Sequence, residues 1–206
     1  MKSSTASFHL LCKCLVSIYG RVGIKTSLTL LEHIGFEVDP QEWKAFFEEN
    51  LGKDLGGYEI RKSEEGVLFL NDPTLSQEAL EDLRREGRYY VPDKDVFLKY
   101  QDPYFRENER EFENVLKFLK PYFKGVKEGY EKGVSNFIKI SFRNLDTGKS
   151  ADEIIYGAKF GNKPIKGRKM DDFLLLYYAV FNDTKGPARR GFSPMEVGFL
   201  MMNEPK

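Results

Sequence analysis

Helix-start punctuation constrains this chain more than any other feature. Asp39-Pro40-Gln41-Glu42, Asp72-Pro73, Asp102-Pro103, Ser150-Ala151-Asp152-Glu153 and Ser193-Pro194-Met195-Glu196 each set a capping side chain before a first-turn proline, an acid three residues on, or both. A cap accepts hydrogen bonds from the unpaired amides of the first turn, and proline has no amide to leave unpaired. Gly20, Gly35, Gly52 and Gly87 supply stops. The 206 residues are therefore cut into short helices, which persist only by burying an apolar stripe against neighbours. The expectation is a mainly α (α+β) fold, without the alternating strands and helices of a parallel sheet.

The spacing of apolar residues places the pieces. Phe8, Leu11, Cys12, Leu15, Ile18 and Tyr19 make one stripe on a helix over 5–19. Leu28, Leu31 and Ile34 do the same on a helix over 26–34, and Trp43, Phe46, Phe47 and Leu51 on a third that starts at Asp39. Leu11, Leu15, Ile18, Leu31, Trp43, Phe46 and Phe47 are the expected core. Tyr58 to Lys62 and Val67 to Leu70 flank a short glycine-containing loop, which predicts a β-hairpin. Three helices followed by a hairpin is the order of a winged helix, so residues 1–71 read as a winged-helix-like unit.

Residues 72–92 read as a connecting helix and an extended linker ending at Pro92, because a residue before proline avoids helical backbone. Residues 93–206 read as a helical domain. It opens with a short helix carrying Phe97, Leu98 and Tyr100, followed by a long one from Asp102-Pro103 with Phe105, Phe112, Val115, Leu116 and Leu119 inward. Lys124 to Gly133 is glycine-interrupted and reads as a hinge. Val134 to Leu145 fits a helix better than a strand, although Ile138, Ile140 and Phe142 alternate. Helices follow from Ser150 to about Phe160, over Asp171 to Asn182 (apolar on most faces) and from Ser193 to Met202.

Charge and motif content exclude several chemistries. The 32 Lys+Arg balance 32 Asp+Glu, so no bulk charge attracts nucleic acid or a membrane surface. The longest apolar run, Phe173 to Phe181, is about half a membrane span. Cys12 and Cys14 are the two cysteines, which argues against a disulfide framework and for a reducing, cytoplasmic setting. On a helix they point to opposite sides, one to the core and one to the surface, so they cannot hold one metal. His9 and His33 belong to no zinc-helix or di-iron motif, and no metal or cofactor is expected. Thr147-Gly148-Lys149-Ser150 imitates the end of a phosphate-binding loop, but Arg143 stands where the first glycine is needed. Glu107, Glu109, Glu111 and Glu113, interleaved with Arg106 and Arg110, form a solvated helix face.

One basic stretch stands out. Lys159, Lys163, Lys166, Arg168 and Lys169 fall in eleven residues without an acid, and Lys185, Arg189 and Arg190 follow one helix later. Lys163, Lys166, Arg168, Lys169, Arg189 and Arg190 are the candidate anion or nucleic-acid contacts. Against that use, 39–54 holds five acids against two lysines, a net −3 on the helix that would enter a DNA groove. With no catalytic constellation, the chain reads as a non-enzymatic intracellular adaptor or regulatory protein that binds a protein partner or itself. A nucleic-acid-binding protein using 159–190 is the alternative.

The ending Asn182-Asp183-Thr184 with Arg189-Arg190-Gly191-Phe192-Ser193-Pro194-Met195-Glu196 resembles that of a group of uncharacterised bacterial helical proteins. In these, a helical domain closes on an asparagine–threonine turn and a Gly-x-Ser/Thr-Pro-x-Glu helix start, and many then carry a cysteine-rich SEC-C zinc tail. The resemblance implies a bacterial helical protein. The sequence shows no such tail before Lys206, so no zinc-dependent role is carried over.

Overall fold

A computed structural model describes residues 5–75, 88–102, 104–123, 132–136, 138–139 and 165–202. The chain divides into two compact units. Unit 1 comprises 1–105 together with 187–191, and unit 2 comprises 106–186 and 192–206. The boundary thus falls after Phe105 rather than within 72–92. No helix of the described residues is long and apolar enough to cross a membrane.

Unit 1 is built around α1 (Thr5–Tyr19). The expected stripe is buried, and so are Cys14 and Val16 on its other side. The helix is surrounded rather than half-covered: α3 (Pro40–Glu49), a small sheet, α4 (Lys94–Lys99) and the segment 187–191 enclose it, and α2 (Ile24–Ile34) packs on α3 and the sheet. Asp39 caps α3 as expected, its Oδ1 accepting from the amides of Gln41 and Glu42 at 2.8 and 2.9 Å. Gly35 ends α2 at φ +94°, where a side chain would be strained. Trp43, Phe46 and Phe47 are buried, but Leu51 lies beyond the helix end and is exposed. In α2, Leu30 takes the fully buried place expected of Leu28, which is only partly covered. The indole Nε1 of Trp43 donates to Ser27 Oγ at 3.0 Å, so the buried ring leaves no polar atom unsatisfied.

The hairpin forms as expected from β2 (Glu59–Lys62) and β3 (Leu68–Asn71). A third strand, β1 (Arg21–Gly23), joins β3 on its other edge, giving the antiparallel order β1-β3-β2. Val22 and Ile60 both pair with Leu70, and all three are buried. At three residues β1 is too short to show periodicity. Its pairing with β3, nearly fifty residues on, is what makes it a strand.

Phe97 of α4 and Tyr100 just after it are buried in this same core, which moves the short helix from the second unit to the first. Asp102 does not start a helix. Its Oδ1 accepts from the Tyr104 amide at 2.9 Å in a turn, and Phe105 packs edge-on against Tyr100, centroids 4.9 Å apart.

Unit 2 begins its regular structure later, at α5 (Glu109–Leu119), which buries Phe112, Val115 and Leu119. These pack with Phe173, Tyr177 and Val180 of α6 (Arg168–Asp183). Asn108, just before α5, donates through Nδ2 to Val180 O (3.1 Å) and Thr184 Oγ1 (3.0 Å), tying the start of α5 to the end of α6. The described part of the ambiguous segment, 134–136 and 138–139, is helical, with Val134 and Ile138 buried, and the last two hinge residues, 132 and 133, are helical as well. α7 (Pro194–Met202) packs on α6. Its capping box forms in both directions: Ser193 N donates to Glu196 Oε2 (2.7 Å) and Glu196 N to Ser193 Oγ (3.3 Å). The helices expected beyond Leu75 and over 150–160, most of the hinge 124–133, and the Gly-Lys-Ser run lie outside the described residues.

Candidate protein-interaction surface

α6 departs from its expected burial. A helix apolar on most faces belongs in a core, yet only Phe173, Tyr177 and Val180, spaced four and three apart, are fully buried. The opposite stripe faces solvent, with Leu175 73% and Tyr178 40% exposed. On α7, Met195 (47%), Phe199 (57%) and Met202 (74%) recur at four and three residues and form a second exposed apolar stripe. Single exposed apolar residues are ordinary, whereas here they recur on two helices packed on each other. Lys185 Nζ meets Glu196 Oε1 at 2.6 Å next to the α7 cap. Burial would raise the Glu196 carboxyl, but the hydrogen bonds from Lys185 and Ser193 and the lysine charge hold it below its ordinary value.

The five described basic candidates are divided between the two units. Lys166, Arg168 and Lys169 are exposed in unit 2, at and just before the start of α6, while Arg189 and Arg190 are part of unit 1 and half-buried. Lys163 lies outside the described residues. Arg190 is built into its surroundings. Its carbonyl accepts from Tyr90 N at 3.1 Å, and its guanidinium lies 5.5 Å from the centre of the Tyr89 ring. Gly191 follows at φ +85°, and a Cβ there would stand 2.7 Å from the Ile18 methyl Cγ2. Segment 187–191 is thus a packing element of unit 1, a role that its charge concealed in the sequence.

Both cysteines are buried, which corrects the expectation of one surface thiol. Residues two apart on a helix can both be inside only when the helix is enclosed on opposite sides, as α1 is. The Tyr58 hydroxyl beside Cys12 lies 2.6 Å from His9 Nδ1. Sequence reading did not pair His9 with Cys12, since Tyr58 links them from a strand-side loop some fifty residues away. Burial pushes the Cys12 thiol far up and the Cys14 thiol up to about 12. A nucleophilic thiol requires the reverse shift, so both shifts run in the direction of buried core cysteines. Among the described residues no three His, Cys, Asp or Glu side chains gather as a metal site.

No protein-family model, curated protein or solved structure matches the chain.

Proposed function

We propose that the chain is a non-enzymatic protein-interaction module of the adaptor or regulatory kind, working in the cytoplasm. The observation that carries this reading is the pair of exposed apolar stripes on α6 and α7. Unit 1 is read as a winged-helix-like scaffold. Its order α1-β1-α2-α3-β2-β3 and the sheet order β1-β3-β2 support that reading. The helix of such a unit that would enter DNA, α3, exposes Glu42, Glu48 and Glu49 against Lys44. Phosphates are repelled by that face, which favours protein over nucleic acid as partner. Two buried free thiols suit a reducing compartment.

The test is photo-crosslinking in the native host, with a photoreactive residue at Leu175 or Phe199 and a control at exposed Lys44. Protein adducts at the first two positions and none at the third are expected. Absence of any adduct at Leu175 and Phe199 would remove the reading.

A further inference from the structure

We propose that the occupant of the α6 stripe is α6 of a second copy, packed antiparallel about a twofold axis at Leu175; this rests on the protein-interaction reading above. The charge pattern of the stripe carries the inference. Arg168, Asp171, Asp172, Tyr178, Ala179 and Asn182 are all exposed, and they stand three, four and seven residues to either side of Leu175. These spacings form one face of a helix, and that face maps onto itself when the helix is turned end for end. Isologous pairing requires such self-complementarity.

In this pairing Leu175 meets Leu175 at the axis. Asp171 faces Tyr178 of the second copy, a carboxylate opposite a phenol hydroxyl, and Asp172 faces Ala179. Arg168 lies seven residues before the axis and Asp183 eight after it, about 10.5 and 12 Å along the helix. Each Arg168 therefore reaches Asp183 of the other copy. Parallel pairing would instead set Asp171, Asp172 and Asp183 against their own copies. The antiparallel arrangement alone joins opposite charges and opposes the two helix dipoles favourably.

The test is sedimentation equilibrium of the purified full chain from about 1 to about 200 µM, a range that resolves micromolar pairing. The expected mass rises from 23.9 kDa towards twice that value. Leu175→Glu, at an exposed position, is expected to hold the chain monomeric. Arg168→Asp and Asp183→Arg are each expected to weaken pairing about tenfold, because each reversal acts at two symmetric contacts. Combining them is expected to restore it to within about twofold. Both reversals put favourable charge at a helix end, so misfolding does not mimic the loss. With dissolved oxygen and a copper catalyst as oxidant, Leu175→Cys is expected to form an intersubunit disulfide, and the buried native thiols do not compete. A chain monomeric throughout, or a dimer indifferent to Leu175→Glu, overturns the proposal. If the Leu175 photo-crosslinker then captures a different protein, self-pairing fails and the interaction reading stands; if neither it nor the Phe199 crosslinker captures anything, both fail.

Discussion

Phe47→Ala tests the packing on which unit 1 depends. The ring is fully buried, with its centroid 5.1 Å from that of Trp43 and 6.4 Å from that of Phe46. Phe8 closes the same cluster, edge-on to Trp43 at 5.2 Å. Truncation removes the transfer free energy of the ring and leaves a cavity that rigid aromatic neighbours cannot fill, a loss of about 3–5 kcal/mol. About 0.5–1.5 kcal/mol of that belongs to the aromatic contacts themselves. With a urea dependence of about 2 kcal/mol per M, the midpoint should fall by about 1.5–2.5 M. Trp43 is the chain's one tryptophan, so its fluorescence follows unit 1 directly. A midpoint unchanged within about 0.3 M, on the same dependence, would refute the burial of this face and the placement of α3 against α1.

Four further outcomes are expected. Gly191→Ala should lower the unit 1 midpoint more than Gly35→Ala: both sites have positive φ, but only at Gly191 would the new methyl meet Ile18 and Tyr90. Conformational strain costs each variant about 1–2 kcal/mol, and overpacking adds about 1–3 kcal/mol to the first; equal midpoints would contradict the close approach of 187–191 to α1. Alkaline pH should destabilise unit 1, because burial holds the Cys12 and Tyr58 groups neutral in the fold and pushes Cys14 up to about 12 from an ordinary 9.0. Groups raised in the folded state contribute stability below their unfolded values that is lost as pH rises towards the folded ones, so the urea midpoint should hold at pH 7–8 and decline from about pH 9 upward. Thiol-reactive dye should label neither cysteine before unfolding. In low salt, gel shifts with duplex DNA or single-stranded RNA should be absent at tens of micromolar protein, and a shift that Lys166→Ala, Arg168→Ala and Lys169→Ala together abolish would restore the nucleic-acid alternative.

The sequence by itself determined where most described helices begin and which residues face inward. Asp39 and Ser193 cap through contacts within three residues, and Trp43, Phe46 and Phe47 line one face by helical periodicity alone. Such features are local, so they are written locally. Asp102 shows the limit even there, since the same residue that can cap a helix can close a turn, and the burial of Phe105 against Tyr100 decides between them. Only the tertiary structure made β1 a strand, enclosed α1 so that Cys12 and Cys14 are both inside, and turned the basic segment 187–191 into a packing element. It also left Leu175 and Tyr178 in solvent on a helix whose composition reads as core. Composition records how much apolar surface a helix carries, but the neighbours that cover it arrive from distant parts of the chain. One residue of register or one missing neighbour therefore decides whether that surface becomes core or interface.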